Sequence, residues 1–480
     1  MIHFYRVFLV LICFVSPTLT KGQRLVDIIN QAERAVLSVK CMSASGATIN
    51  EGSGCVVSSD GIALVSASTL FSGDSILIET RSNRKFGVLS VLQVHPLANL
   101  ALVKLNIGRT RDLPYLLPSK TIFGEGQEVV VFGHERDVED GVEFGRIVSL
   151  KNFVFFNRLG TISVKATSKS IGAPVVNSRG EMAGILCALE TAKPALVLDS
   201  KLVNDTNWIN IGMDYDQLKS NVRRSLFSPD LNDGIQRMLV GEYELSARSL
   251  SGYIRINPTY ANVYTLRSYA RYMYKNTYGS REDLVQSKKL YPQGFLPYYF
   301  EAQYCFAENK KEEALLNYSI CLEKKPNFAY ALVEHGRLLY SLKKNLEGAY
   351  ADFLNATLSD TTYGAGYYEK ARFVLQHFED KRSATKDLDN AIRLDPNLPG
   401  IFTIRGTTLI EGQNYLAAIA DFDKALERDK TDMYALFNRG VAEYNLGMKD
   451  KACKDWQTAA NLGHFKAVRY ISRYCGNSGR

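Results

Sequence analysis

The chain has 480 residues, 46% of them hydrophobic and 22% charged, with a formal net charge of +8. That length exceeds one ordinary hydrophobic core and predicts two or three domains, and the composition excludes wholesale disorder. No Lys/Arg block is dense enough to track a phosphate backbone, so a nucleic-acid partner is not expected.

Residues 1–22 read as an export signal. His3 and Arg6 precede an apolar run from Val7 to Val15, and the small residues that follow allow cleavage after Thr20 or Gly22. The run is shorter than the roughly 20 residues of a membrane span, and no later segment reaches that length. The expectation is export to a periplasm or the cell exterior, with no transmembrane segment after signal cleavage. Seven cysteines follow the signal, an odd number that leaves at least one unpaired. Their spacing fits no zinc pattern, so neither a metal nor a cofactor is expected. Cys41 and Cys55 lie on consecutive predicted strands and are candidates for a disulfide across a hairpin. Small apolar core residues would explain the same letters.

Residues 24–203 show short runs rich in Val, Ile, Leu and Phe, punctuated by Gly, Ser, Asn and Asp. Many short strands spaced this way predict a β-barrel or sandwich. Residues 204–227 read as a linker, and from residue 228 the apolar period becomes helical. This second half repeats. Asn257-Pro258, Tyr291-Pro292 and Lys325-Pro326 stand 34 residues apart, and Asp395-Pro396, Asp429-Lys430 and His464 continue the series. Gly406, Ala418 and Ala425 precede Lys430 with the spacing that Gly440, Ala452 and Ala459 keep before His464. Small side chains let paired helices approach closely, and proline ends the second helix. The period resembles that of tetratricopeptide (TPR) repeats, giving about seven units, of which the first, ending at Pro258, keeps the pattern least.

A TPR array has a concave face built from the first helix of each repeat. The resemblance places there Tyr269, Tyr272, Tyr299, Gln303, Phe306, Arg337, Tyr340, Phe373, His377, Phe437, Val441, Tyr444 and Asn445. An aromatic groove with scattered hydrogen-bonding groups suits an extended peptide or a partner helix. The same rings are equally suited to packing between repeats.

In the β half, Gly52-Ser53-Gly54-Cys55-Val56-Val57, then Leu64-Val65-Ser66-Ala67-Ser68, then Asn99-Leu100-Ala101-Leu102-Val103-Lys104 follow one another. Gly145-Arg146-Ile147-Val148-Ser149, Ser170-Ile171-Gly172-Ala173-Pro174-Val175 and Gly180-Glu181-Met182-Ala183-Gly184-Ile185 complete the series. In order and spacing these motifs resemble the trypsin-like serine proteases of the HtrA/DegP type. The resemblance implies two six-stranded barrels with an active site in the cleft between them. It also implies a Ser-His-Asp triad, in which an imidazole activates a hydroxyl and a carboxylate orients the imidazole. Here Ser68 stands in the place of the histidine, Asn99 of the aspartate and Ile171 of the nucleophile. Isoleucine has no proton to lose. A rearranged pair, Ser170 with His134, is the alternative constellation, although polar loop residues explain both letters. His95, the other imidazole of this half, falls on a predicted loop away from the base position.

The expected architecture is therefore an all-β trypsin-like double barrel followed by an all-α TPR solenoid. The expected function is an exported, non-catalytic adaptor that binds protein or peptide partners through the TPR groove and the inter-barrel cleft. The alternative is an active serine-type endopeptidase with a rearranged site and TPR-mediated substrate recruitment.

Overall fold

The computed structural model describes residues 21–108, 112–121, 123–132, 142–155, 157–164, 167–187, 195–200, 209–215, 229–378 and 380–476. Nearly all of the expected signal segment, His134 and much of the expected linker lie outside them. The chain divides into two compact units, Met1–Pro229 and Asp230–Arg480.

Among the described residues, the first unit begins with a helix, Lys21–Glu33, and continues mainly as strands. These are β1 (Val36–Met42), β2 (Thr48–Val56), β3 (Ile62–Ser66), β4 (Ser75–Thr80), β5 (Lys85–Phe86), β6 (Val88–His95) and β7 (Leu100–Leu105). After them come β8 (Glu128–Phe132), β9 (Val142–Phe153), β10 (Asn157–Ile162), β11 (Pro174–Asn177), β12 (Met182–Cys187), β13 (Ala195–Asp199) and β14 (Ile209–Asp214). Strands β8 to β13 close into a six-stranded barrel in the order β10-β13-β12-β11-β8-β9, as expected. Strands β1 to β7, joined by β14, depart from expectation by forming an eight-stranded sheet, β14-β6-β7-β3-β2-β1-β4-β5. Each sheet has its own core, one around Leu37, Val39, Val65, Val91 and Val103 and the other around Val129, Val131, Val175, Ala183 and Val197.

Two expectations change here. The segment read as a linker contains β14, which pairs with β6 through Ile209 opposite Val94 and Asp214 opposite Ser90. The register breaks between Asn210 and Met213, and Gly212 has φ +58°, so the regular alternation that would mark a strand is interrupted. Tyr215 then anchors the end of the segment: its ring is buried and its hydroxyl donates to the Leu70 carbonyl at 3.0 Å. Cys41 and Cys55 do not pair. The β1–β2 register sets Cys41 opposite Asn50 and Cys55 opposite Val36. Both thiols are buried core groups, and burial pushes that of Cys55 up to about 12.

The second unit is seven consecutive helical hairpins. They are Pro229–Leu239 with Tyr243–Ile256, Ala261–Met273 with Thr277–Leu290, Leu296–Ala307 with Lys311–Lys324, and Ala329–Lys343 with Leu346–Ser359. Gly364–His377 with Lys381–Leu394, Ile401–Glu411 with Tyr415–Arg428, and Met433–Asn445 with Lys449–Asn461 complete them. The second helices start on recurring side-chain caps. Asn276, Asn345, Asp380 and Asn414 each accept the N–H three residues on, which satisfies a donor the helix leaves open. The small residues read from the sequence sit where helices touch. A β-carbon on Gly406 would lie 2.7 Å from the Phe422 ring, and one on Gly440 would lie 2.6 Å from Trp456.

The last hairpin carries a short helix, Phe465–Tyr470, and a final turn, Ile471–Cys475. A disulfide between Cys453 and Cys475 ties that turn back to the last repeat. Beneath it Trp456 is fully buried and donates its indole N–H to the Phe437 carbonyl at 3.0 Å. No helix among the described residues is long and apolar enough to cross a membrane.

Candidate functional site

Ser68 and Asn99, which are distant in sequence, meet in the structure. Ser66 caps the short helix Ala67–Leu70 that carries Ser68. Asn99 sits in the tight turn between β6 and β7 at φ +57°, a left-handed conformation that asparagine tolerates better than most residues. The Ser68 N–H donates to Asn99 Oδ1 at 2.7 Å, and Asn99 Nδ2 donates to Ser68 Oγ at 2.9 Å. A backbone N–H can only donate, so the amide oxygen must face it. The Asn99 carbonyl accepts from the Ala67 N–H at 2.9 Å. The two positions thus close into a hydrogen-bonded ring. The resemblance places the base and the carboxylate at these two positions, and neither holds a titratable group here.

Ile171 leaves a 3₁₀ turn, Ser168–Ser170. Its carbonyl accepts the Ser53 N–H at 2.9 Å, and the Ser53 hydroxyl donates to the Lys169 carbonyl at 2.8 Å. The turn is thereby stitched to β2 of the other sheet. Gly172, at φ +88°, makes that approach possible, since a β-carbon there would stand 2.4 Å from the Ser53 carbonyl oxygen. The Ile171 side chain packs against the core of the six-stranded barrel. An apolar side chain therefore serves as packing where the resemblance would need a nucleophile.

Ser170 is buried and faces its own turn, its Oγ lying 3.4 Å from the Thr167 N–H and 3.3 Å from Thr167 Oγ1. His134, its proposed partner, lies outside the described residues. His95 is not on a loop, as the sequence suggests, but at the end of β6. It is fully buried, and its Nδ1 accepts the Ala98 N–H at 3.0 Å. That bond shapes the turn holding Asn99.

The residues mapped to the concave face divide three ways. Tyr299, Phe373 and Phe437 are buried, so these three are packing residues. Tyr299 lies among Phe300, Tyr318 and Phe328, and its burial holds the phenol protonated. Phe437 stacks on His464. Large rings at these positions reach the seam between repeats, where they gain more contact area than on an open face. Tyr269, Tyr272, Gln303, Arg337, Tyr340, His377 and Val441 are half-buried. Tyr272 stacks on Tyr304 at 3.9 Å, Gln303 donates to the Tyr318 hydroxyl at 2.6 Å, and His377 meets the Tyr340 ring at 5.0 Å. Arg337 pairs with Glu334 at 2.6 Å and with the buried Glu369 at 2.8 Å. Phe306, Tyr444 and Asn445 are exposed.

One recurring contact escapes the sequence reading. Arg267, Arg405 and Arg439 each make a two-pronged ion pair with an aspartate 16 residues on, namely Asp283, Asp421 and Asp455. Each also reaches back 16 residues, to Ser251, Asp389 and Asp423 respectively. These arginines bind the helices of one repeat together and tie them to the preceding one. For the last two, an Arg-Gly pair followed 16 residues on by Asp-Phe or Asp-Trp, at Arg405-Gly406 with Asp421-Phe422 and Arg439-Gly440 with Asp455-Trp456, was the available signal.

Fold and site together define a trypsin-like β domain followed by a TPR-like helical solenoid. Comparison with known proteins agrees for the first part: residues 52–185 match the trypsin-like peptidase domain family. Among solved structures, the chain is similar to a serine endoprotease from Yersinia pestis. The identity is 20% and the TM-score 0.33, over 41% of this chain and 67% of that one. It is also similar to YrrB, described as a TPR protein with an unusual peptide-binding site. There the identity is 22% and the TM-score 0.36, over 40% of this chain and 99% of that one.

Proposed function

We propose that the protein is an exported, non-catalytic adaptor, in which an inactive trypsin-like domain is joined to a solenoid that binds protein or peptide. The observation that carries the reading is the Ser68–Asn99 ring. General-base catalysis needs a group that accepts a proton within hydrogen-bond reach of the nucleophile. The ring fills that place with a hydroxyl and an amide, and Ile171 supplies no hydroxyl to activate. Ser170 gives no substitute, because its oxygen is engaged with Thr167.

Partner binding falls to the half-buried and exposed groove residues, Tyr272, Phe306, Tyr340 and Tyr444. Their rings offer contact area at low conformational cost. Export is supported by the apolar run at the start of the sequence and by the Cys453–Cys475 disulfide, since such bonds persist in oxidising compartments. The test uses the full chain against a quenched peptide library and a peptide array. No cleavage is expected, and array binding should fall about tenfold or more in Phe306→Ser/Tyr444→Ser. Cleavage that disappears in Ser170→Ala would overturn the reading.

A further inference from the structure

The arginine contact of the solenoid varies in other repeats, and in the fifth hairpin Lys370 takes its place, pairing with Asp387 at 3.0 Å. At the position held by Arg267, Arg405 and Arg439 in other repeats, the fourth hairpin carries His335. Its flanking partners are those of the pattern: Asp352 on the second helix of its own repeat, and Ser319, 16 residues back, where Ser251 stands behind Arg267. His335 Nδ1 lies 2.7 Å from Asp352 Oδ2, and His335 Nε2 lies 3.0 Å from Ser319 Oγ. The side chains of His335 and Asp352 are each only 15% exposed.

Replacing guanidinium by imidazole changes what these three residues can do. A guanidinium only donates, so Ser251 is held as an acceptor. An imidazole that gives its Nδ1 proton to a carboxylate presents a bare lone pair at Nε2, and here that lone pair faces a hydroxyl. This is the bonding order of a base-activated serine. It lies in the solenoid, apart from the substituted triad positions of the β domain.

We propose that Ser319 is an activated serine that accepts an acyl or phosphonyl group from an activated donor, such as an aryl ester or a fluorophosphonate. His335 is the base and Asp352 orients it. Ser319 Oγ bonds to the carbonyl carbon or the phosphorus, and the aryloxide or fluoride departs with the bonding pair. The serine proton passes to His335 Nε2 and then to the leaving group or to water. Leu316, one turn earlier on the same helix and largely exposed, favours donors with an apolar chain.

The surroundings also set a limit. Ser319 lies inside the helix Lys311–Lys324, whose backbone N–H groups are committed to the helix and cannot form an oxyanion hole. Lacking such donors costs about 100-fold or more in rate. The Leu315 carbonyl, 3.0 Å from Ser319 Oγ, competes for the hydroxyl proton. The site therefore captures a group and releases it slowly, and acts as a modification site more than a turnover enzyme.

The test treats the full chain with a biotinylated fluorophosphonate at pH 8 and maps the adduct by peptide mass spectrometry. The adduct is expected on Ser319 and absent in Ser319→Ala. It should form about 100-fold more slowly in His335→Gln. His335→Arg is the decisive variant, because it rebuilds the contact made at Arg267 and so keeps the melting temperature while removing the base. Labelling should be lost there too. An unlabelled Ser319, or a labelling rate unchanged by His335→Arg, overturns the proposal. An adduct on Ser170 alone overturns it and the non-catalytic reading of the β domain as well.

Discussion

Gly172 in the β domain and Gly440 in the solenoid both let two segments close on each other. A β-carbon on the first would stand 2.4 Å from the Ser53 carbonyl oxygen, and on the second 2.6 Å from the Trp456 indole. Gly172 also needs its positive φ of +88°, and the join it makes between β2 and the turn before β11 occurs once. The Gly440 contact is restated one repeat earlier by Gly406 and Phe422. Contacts made once hold a particular geometry, and their loss is felt throughout the sheets they connect. Contacts made every repeat hold a period, and their loss stays within a repeat and its neighbours.

Four measurements probe that contrast. Gly172→Val adds both strain and a backbone clash and should cost the β domain about 4 kcal/mol. Chemical denaturation should show the β transition displaced and the solenoid transition unmoved. If both shift together, the two units do not unfold independently. Cys453→Ser should lower solenoid stability by about 3 kcal/mol through the lost cross-link. Hydrogen exchange should quicken mainly from Phe465 to Cys475, and fast exchange spreading to the second hairpin would contradict local damage. Asp455→Asn breaks one arginine contact and should cost about 2 kcal/mol, with Arg439 left half-paired through Asp423. Because the pattern repeats, Asp421→Asn should cost a similar amount, and a severalfold difference would show that the contacts are not equivalent.

The smallest effect concerns Glu443. Burial, with Asp455 nearby, pushes its carboxyl from the ordinary 4.5 up to about 7. The folded state therefore holds a proton that the unfolded chain has released, and stability falls as pH rises from about 4.5 to 7. Glu443→Gln should remove that slope and raise stability above pH 7 by about 1 kcal/mol. A pH profile of melting temperature unchanged by the substitution would refute it.

The sequence made the architecture readable because its signals are local or periodic. Gly406, Ala418, Gly440 and Ala452 mark helix contacts at fixed intervals, and Gly52, Gly172 and Pro174 mark a β framework. What it hid depends on contacts between distant residues. The strand Ile209–Asp214 is broken by a bulge and looks like a linker until β6 lies beside it. Cys41 and Cys55 look like hairpin partners until the register sets each opposite another residue. Tyr299, Phe373 and Phe437 occupy positions that often face a groove, and only the neighbouring repeat shows that they are covered. At the candidate site, the letters at Ser68, Asn99 and Ile171 were legible, as was their departure from the triad the resemblance implies. The hydrogen bonds joining the first two were not, and neither was the approach of Ser319 to His335.

On the proposed non-catalytic reading, the Ser68–Asn99 ring also bears on whether hydrolysis could be built on this scaffold one residue at a time. A histidine placed at 68 would face the Asn99 amide, which can donate to Nδ1 and so favour the tautomer with its proton on Nε2. That imidazole could not accept a proton from a serine. An aspartate placed first at 99 would gain a buried charge with only a hydroxyl and a backbone N–H to meet it. A serine placed first at 171 would give up packing against the barrel core and find only a hydroxyl at position 68. Each first step is uphill or idle. The two-bond ring acts as a latch against that route, and a library that varies one position at a time would find no intermediate to select.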